Sequence, residues 1–153
     1  MSALSMNRNE REAFLAQAHV GVISIADPAR GVVAVPIWYD YDPTVGVWVI
    51  TDPRSIKGKA LRAAGRYTMT VQVSTFPYRY VSVEGPIIEE RDTSKERDLR
   101  PMAIRYNGKE DGDAYADSYP ENIGHVYIMR PERWLTQDLT KVPAETFTEK
   151  KEV

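Results

Sequence analysis

The 153-residue sequence contains no cysteine and only two histidines, His19 and His125. The lack of cysteine excludes disulfides, thiolate metal ligands and cysteine nucleophiles together. Neither histidine has a partner at a spacing that is typical of a metal site, so we expect no bound metal and only structural roles for the two histidines. A chain without disulfides fits the reducing cytoplasm, which is its expected location.

Long apolar runs and an excess of one charge are missing as well. No run approaches the roughly 20 apolar residues that cross a bilayer, and the polar start of the chain does not look like a signal peptide. Twenty Lys and Arg residues stand against 22 Asp and Glu residues, for a formal net charge of -2. Nucleic-acid and membrane-surface binding depend on a strongly basic field, so we expect neither partner. The glycine patterns of P-loops and dinucleotide-binding folds are absent.

What the sequence does contain is a series of short strands. Apolar alternation and β-branched runs predict six of them, over residues 20–26, 32–41, 47–51, 67–74, 78–89 and 123–129. Turns rich in Asp, Pro and Gly separate the first three strands, which is typical of the meander that opens a sandwich or barrel. Helical spacing and capping residues predict three helices, over residues 5–19, 55–64 and 92–107.

The length suits one domain with one core. We expect that core over residues 8–140, and a polar C-terminal tail over residues 141–153 that is frayed. Residues 108–120 are rich in Gly, Asp, Ser and Tyr and are predicted to form a loop, with room for one helical turn.

The segment between the third strand and the second helix concentrates positive charge. Arg54, Lys57 and Lys59 lie within six positions, and Ser55 stands where an N-cap residue would stand. Cations at a helix N-terminus oppose the helix dipole, so this placement makes sense if an anion such as a phosphate binds there. A solvated basic turn without a ligand explains the same spacing equally well.

Two strands carry unusual residues. Pro36 removes a hydrogen-bond donor from the second run, so that strand is expected at a sheet edge or a bulge. An edge beside the bulky Trp38 offers backbone groups and an aromatic face to a flat ligand, although barrel core is the alternative role for Trp38. In the fifth run, Arg79 shares a face with Val81, which is unusual unless that face meets a ligand, a partner or an acid such as Glu84.

These stretches resemble, in this order, the flavin and deazaflavin oxidoreductase superfamily with the pyridoxamine 5′-phosphate oxidase-like split barrel. The resemblance runs from about Phe14 to Asp138. Five motifs in register carry it, namely Val20-Gly21-Val22-Ile23-Ser24, Val35-Pro36-Ile37-Trp38-Tyr39, Ser55-Ile56-Lys57-Gly58-Lys59-Ala60-Leu61, Val81-Ser82-Val83-Glu84-Gly85 and Arg130-Pro131-Glu132-Arg133-Trp134. The third motif departs from the family pattern at Ala60, where many relatives have Asn.

The resemblance implies a mainly β, six-stranded antiparallel split β-barrel with a few flanking helices. It also implies a homodimer with cofactor sites at the interface. In the family, the cofactor phosphate binds the turn that corresponds to Arg54, Ser55, Lys57 and Lys59. The ring lies along Pro36, Ile37 and Trp38, with Thr51 nearby. The opposite subunit would complete the pocket with Tyr78 or Arg79.

The sequence is similar to the F420-dependent branch in particular, because the substrate-phosphate signature of pyridoxamine-phosphate oxidases is not recognisable. This implies an enzyme, an oxidoreductase that transfers hydride between reduced F420 and a small organic acceptor, with FMN as the alternative cofactor. The cofactor carries that chemistry, so no catalytic residue is required. The candidates for the proton donor to the product are Tyr78 and solvent. The rival function is binding of a flavin, F420 or a tetrapyrrole without turnover. A nucleic-acid-binding barrel is disfavoured by the net charge.

Overall fold

The first helix begins where the sequence supplies a capping box. The computed structural model describes residues 2–148, and α1 spans Arg8–Ala16. The Asn7 side chain accepts a hydrogen bond from the Glu10 backbone N–H, and the Glu10 carboxylate accepts one from the Asn7 N–H, both at 2.9 Å. These bonds satisfy donors that a helix start leaves free. Phe14 on α1 is buried in the core.

Eight strands form the sheet. They are β1 (Gly21–Ile25), β2 (Val33–Ile37), β3 (Asp40–Asp42), β4 (Gly46–Thr51), β5 (Arg66–Val73), β6 (Arg79–Asp92), β7 (His125–Met129) and β8 (Arg133–Asp138). The pairings are antiparallel and follow the order β2-β1-β5-β6-β7-β4-β3, with β8 added to β6. The sheet curls into a half-barrel. Because β2 and β3 stand at the two ends of the strand order, its edges remain open.

The 14-residue strand β6 joins the two parts of the sheet. Its first part pairs with β5 along one edge and with β8 along the other, and its second part pairs with β7. The register shifts between Ile87 and Glu89, where one part gives way to the other. A bulge of this kind increases the local bend of a strand, which lets β6 contribute to both parts of the half-barrel.

Alternate residues of the strands build the core. Ile23, Met69 and Val83 lie side by side on β1, β5 and β6, and all three are fully buried. Successive side chains of a strand point to opposite faces, so the residues between them face outward. The buried Tyr67 hydroxyl donates hydrogen bonds to the carbonyl oxygens of Val47 (2.9 Å) and Tyr127 (3.1 Å), which ties β5 to β4 and β7.

The second helix lies where it is predicted. It is α2 (Ile56–Ala64), which Ser55 caps and Gly65 ends. Gly65 has a φ of 68°, a left-handed conformation that glycine adopts without strain. The helix packs against β1, β2 and β5 through buried Leu61.

Two further helices form a hairpin outside the sheet. They are α3 (Arg100–Asn107), which a π-helical turn (Lys95–Leu99) precedes, and α4 (Lys109–Asp117). The predicted helix over residues 92–107 is confirmed, whereas the predicted loop over residues 108–120 is wrong for most of its length. A Cβ at Gly112 would lie 2.5 Å from the Ile104 Cα. The glycine therefore serves a close contact between two helices rather than a turn.

The kind of fold is the predicted one, but the strand count is eight rather than six. The predicted strand over residues 32–41 is two strands, because Tyr39 turns inward between β2 and β3. Its side chain is fully buried, and its hydroxyl donates to the Leu15 carbonyl oxygen at 2.6 Å. Strand β8 is absent from the prediction because its residues are mostly polar and none is fully buried.

The predicted polar tail is ordered as far as it is described. A 3₁₀ turn (Leu139–Lys141) and α5 (Glu145–Thr148) follow β8, and the Lys141 ammonium lies 2.7 Å from a carboxylate oxygen of Glu10. The rest of the tail, residues 149–153, lies outside the described residues. Within residues 2–148, no helix is long and apolar enough to cross a membrane.

Candidate functional site

The start of α2 is held by the capping residue that the sequence predicts. The Ser55 hydroxyl donates to the Asp52 carbonyl oxygen at 2.6 Å and accepts from the Gly58 backbone N–H at 3.0 Å. The buried Thr51 places its hydroxyl 3.5 Å from that of Ser55. Ser55 therefore already uses its hydroxyl within the turn, and Thr51 lies next to it.

The three predicted cations at this turn are not equivalent. The exposed Arg54 guanidinium is bound by Asp52, with Nε 3.1 Å from Oδ1 and Nη2 3.1 Å from Oδ2. Hydrogen bonds from the Arg54 side chain, and then from its backbone N–H, lower the pKa of the Asp52 carboxyl. Lys57 and Lys59 form no ion pair with any residue between positions 2 and 148.

The two unpaired lysines line a groove between α2 and the β1–β2 turn. One cavity of about 400 Å³ lies between Lys57 and the strand residues of β2, and an adjoining one of about 370 Å³ contains Lys59. The two cavities share Arg30 and Ile56. We call the groove that is lined by Arg30, Lys57 and Lys59 the cation groove.

Arg30 is the residue that sequence reasoning missed. It lies in the turn before β2, far from the lysines along the chain, and only the pairing of β1 with β2 and the packing of α2 bring it to the groove. Among the described residues, Arg30 has no acidic partner. The one acidic side chain that lines the groove, Asp27, accepts a hydrogen bond from the Ala29 N–H at 2.9 Å.

Strand β2 leads from the cation groove to an aromatic region. The predicted edge position of Pro36 is confirmed, since β2 pairs with β1 on one side and is the last strand of the sheet on the other. Pro36 stands opposite Val22 of β1. From Val33 to Trp38 the chain covers roughly 17 Å at the rise of an extended strand.

The aromatic region has Trp38 at its centre. The indole stacks on the Tyr106 ring, with centroids 5.0 Å apart and planes 8° apart, and meets Tyr115 at 5.2 Å. One face of Trp38 is thus covered by the protein itself. Burial, followed by the hydrogen bond to the Tyr119 hydroxyl, raises the pKa of Tyr115 to about 12, so the Tyr115 hydroxyl is neutral at pH 7.

A cavity of about 190 Å³ lies beside Trp38. Its walls come from the barrel and from the α3–α4 hairpin, and they consist of Ile37, Trp38, Ile50, Leu99, Met102, Tyr115 and Ile123. We call this space the aromatic cavity. A larger cavity of about 530 Å³ shares Ile123 with it and has walls that include the polar residues Arg54, Asn122 and His125. We call this second space the polar cavity.

His125 is tied to acidic residues at the edge of the polar cavity. Its Nδ1 lies 2.9 Å from a carboxylate oxygen of Glu90, and its Nε2 lies 3.2 Å from one of Asp92. Arg62 also contacts Glu90, at 2.6 Å. The groups around His125 therefore form a network of both signs. Across residues 2–148, no group of three or more His, Asp or Glu side chains is arranged to hold a metal ion.

Arg79 and Tyr78 lie elsewhere in the same chain. The Arg79 guanidinium is 5.1 Å from the centroid of the Phe14 ring, a cation–π contact, and it forms no ion pair with Glu84. Tyr78 is about half exposed, with its ring edge-on to Phe76 at 5.7 Å. Neither residue lines the cation groove or the aromatic cavity of its own chain.

Comparison with known proteins identifies the fold. No family model and no curated protein matches the sequence. Among solved structures, a conserved hypothetical protein from Mycobacterium tuberculosis superposes with a TM-score of 0.71 at 19% identity, over 92% of this chain and 90% of that one. An F420 reductase superposes with a TM-score of 0.65 at 17% identity, over 81% of this chain and 94% of that one.

The same fold also carries a different function. A heme storage protein from Vibrio cholerae superposes with a TM-score of 0.58 at 8% identity, over 85% of this chain and 94% of that one. The chain therefore has the split-barrel fold that these solved structures share, as do a FAD-binding protein from Mesorhizobium loti and a protein from Listeria innocua described as a pyridoxamine 5′-phosphate oxidase. The fold alone does not define a reaction, so the site has to carry the functional argument.

Proposed function

We propose that the protein binds F420 along the open edge of β2 and acts as an F420-dependent oxidoreductase. One observation carries the proposal, namely that the open edge of β2 connects a groove of cations without ion pairs to an aromatic region. An elongated ligand with an anionic group at one end and a flat ring at the other matches this arrangement. F420 and FMN both have this form.

The cation groove fits the anionic end of such a cofactor. Lys57 and Lys59, with Arg30 across the groove, form no ion pair within residues 2–148, and the single carboxylate that lines the groove, Asp27, leaves an excess of positive charge. Phosphate binds well to such groups, because each contact is a charge-assisted hydrogen bond. Arg54 and Ser55 already have partners within the turn. They would therefore shape the site more than they would hold the anion.

The other end of β2 fits the ring. Pro36, Ile37 and Trp38 follow one another along the open edge, and α3 and α4 cover the region beyond Trp38 from solvent. Bound F420 supplies a hydride for an electron-poor acceptor. The contribution of the chain is to hold the ring, to orient the acceptor beside it and to exclude water.

We further propose that the protein is a homodimer. Val22, Thr70, Ser82 and Leu135 lie in one row across β1, β5, β6 and β8, on the face of the sheet that points away from the core. Leu135 is 70% exposed and Val22 39%. An exposed sheet face with apolar side chains and no charge in its central row is typical of an interface. The role that the resemblance implies for Tyr78 or Arg79 of the opposite subunit requires a dimer, although the Arg79 side chain lies on the inner face of its own strand, against Phe14.

Titration of the purified protein with each cofactor tests the proposal. We expect F420 to bind more tightly than FMN, as followed by cofactor fluorescence. Lys57→Ala should weaken F420 binding at least about tenfold, since a charge-assisted contact is worth roughly 1.5–3 kcal/mol. Lys95→Ala is the matched control, because Lys95, like Lys57, lies in the first turn of a helical segment and forms no ion pair within residues 2–148. Its effect should be small.

The other outcomes separate the alternatives. Preferential binding of FMN would replace F420 with that cofactor, and binding of neither would overturn the cofactor site. Tight F420 binding without hydride transfer to any of a panel of electron-poor acceptors, in the presence of a cofactor-recycling enzyme, would identify a carrier rather than an enzyme.

A further inference from the structure

The aromatic cavity has walls that are almost entirely apolar. None of its seven lining side chains is charged, and the only polar group among them besides the indole N–H is the Tyr115 hydroxyl. That hydroxyl lies 3.3 Å from the Tyr119 hydroxyl, so it has a partner. A ligand in this cavity would therefore meet aromatic rings and aliphatic side chains almost exclusively.

The size of the cavity restricts what it can hold. The cavity is open to solvent on one side, so its volume measures the part of a ligand that its walls can surround. The volume of about 190 Å³ is only slightly larger than the roughly 150 Å³ of an engineered apolar cavity that stays dry and binds benzene. The space suits one six-membered ring with a small substituent. It is too small to enclose the three fused rings of a flavin or deazaflavin.

The polar cavity that adjoins it at Ile123 has one side chain of each permanent charge in its wall, Arg54 and Asp52. These two residues pair with each other at 3.1 Å. The lining of the polar cavity therefore offers no unpaired Lys or Arg, unlike the cation groove. A ligand that extends from the aromatic cavity into the polar cavity gains hydrogen-bonding groups but no net attraction for an anion.

We infer that the aromatic cavity is the acceptor subsite, and that it takes the ring of a neutral, single-ring organic compound whose polar substituent points into the polar cavity. The inference rests on the proposed function, because an acceptor must lie beside the cofactor ring on β2. Ile37 and Trp38 belong to both places, so a ring in the cavity lies next to the ligand on the strand. The cation groove holds the cofactor, and the aromatic cavity selects the acceptor.

NMR titration of the cofactor-free protein with p-cresol tests the inference. The chain has three tryptophans, and only Trp38 lines the cavity. We expect p-cresol to shift the indole N–H signal of Trp38 while those of Trp48 and Trp134 stay in place. The anionic analogue 4-methylbenzoate should bind at least about tenfold more weakly. An unmoved Trp38 signal, or equal binding of the two probes, would overturn the inference.

Cavity-filling variants locate the binding. Ile50→Phe adds a ring to the cavity wall and should weaken p-cresol binding at least about tenfold. Ile88→Phe makes the same change at a half-exposed position of β6 outside every cavity described above, and should have no effect. If Ile50→Phe does not fold, Ile37→Phe fills the same cavity from β2. Undiminished p-cresol binding to the folded filling variant would contradict the assignment.

A final titration separates this inference from the proposed function. The protein is first saturated with F420, and p-cresol is then added. Binding of both together is expected, because the cofactor ring lies on the strand and not in the cavity. Displacement of F420 by p-cresol would show that the cavity is the cofactor ring's own site and would overturn the inference. Failure of F420 to bind at all would instead count against the proposed function.

Discussion

At the scale of single residues, charge density along the sequence does not reveal which cations are free. The sequence places Arg54, Lys57 and Lys59 together, but the structure pairs Arg54 with Asp52, two positions away. It also adds Arg30, which no local pattern connects with the two lysines. The cationic character of the turn could be predicted from the sequence. Which residues line the cation groove depends on side-chain geometry and on strand pairing, and neither can be read from a linear pattern.

This difference leads to a prediction for Arg54. Arg54→Ala should weaken F420 binding by less than about threefold, well below the effect of Lys57→Ala, because Arg54 already holds Asp52 through two hydrogen bonds. The measurement is the same fluorescence titration. The same substitution should also be made in the Asp52→Asn variant, which lacks the carboxylate that holds the guanidinium. There, Arg54→Ala should reduce the affinity for F420 by a larger factor than it does in the wild-type protein. Equal losses for Arg54→Ala and Lys57→Ala in the wild-type background would mean that Arg54 leaves Asp52 for the cofactor.

At the scale of elements, the correct predictions are those that rest on local chemistry. Asn7 and Glu10 mark the start of α1, and Ser55 and Gly65 mark both ends of α2, because caps are decided within a few residues. Helix α4 was unpredictable for the opposite reason. Gly112 lowers the helix propensity of its segment, and the contact with α3 that makes the glycine useful is a tertiary one.

The π-helical turn before α3 provides a second prediction, because it depends on one buried carboxylate. Asp98 is 2% exposed and accepts hydrogen bonds from Arg91 Nη1 at 2.8 Å and Nη2 at 3.0 Å. The Ser94 backbone N–H donates a third bond, at 2.9 Å. Burial by itself would raise the pKa of Asp98. The bonds from Arg91, Ser94 and Arg97 outweigh it, and the pKa is lowered from its usual 3.8.

Because the pKa is lower in the folded state, the ionised Asp98 stabilises the fold at neutral pH. That contribution is lost as the pH falls from about 3.8, the usual pKa of the carboxyl, through the lower pKa of Asp98 in the folded state. Asp98→Asn should therefore lower the free energy of unfolding at pH 7 by roughly 1.5–3 kcal/mol, and the difference from wild type should shrink at pH 3. Urea denaturation at both pH values measures it. Asp117→Asn, at an exposed ion pair with Arg100, should change little, and a constant Asp98→Asn difference would contradict the linkage.

At the scale of the whole molecule, the class of fold could be predicted but its connectivity could not. Alternation identifies strands and their inner faces, which is enough to indicate a barrel-like sheet. The place of β8 beside β6, and the position of β2 and β3 at opposite ends of the strand order, depend on the long strand β6 and on the inward turn at Tyr39. Both are set by packing between distant parts of the chain. The same non-local order produces the open edge of β2, on which the proposed cofactor site depends.

The outer face of the sheet supports a prediction about assembly. Leu135 lies at the end of the row that it forms with Ser82, Thr70 and Val22, and its side chain is 70% exposed in one chain. If two copies pair through this face, Leu135→Glu places a carboxylate in the interface, where its desolvation is costly without a partner. Light scattering after gel filtration should then find a dimer for the wild type and a monomer for Leu135→Glu. Val45→Glu, at a 44% exposed position in the turn before β4, should leave the dimer intact.

Two outcomes would contradict this prediction. A wild-type monomer at micromolar concentration would mean that the chain does not form this interface, and a dimer that Leu135→Glu does not disturb would place the interface elsewhere. Because Tyr78 and Arg79 lie away from the cation groove of their own chain, a monomer would also exclude them from the cofactor site.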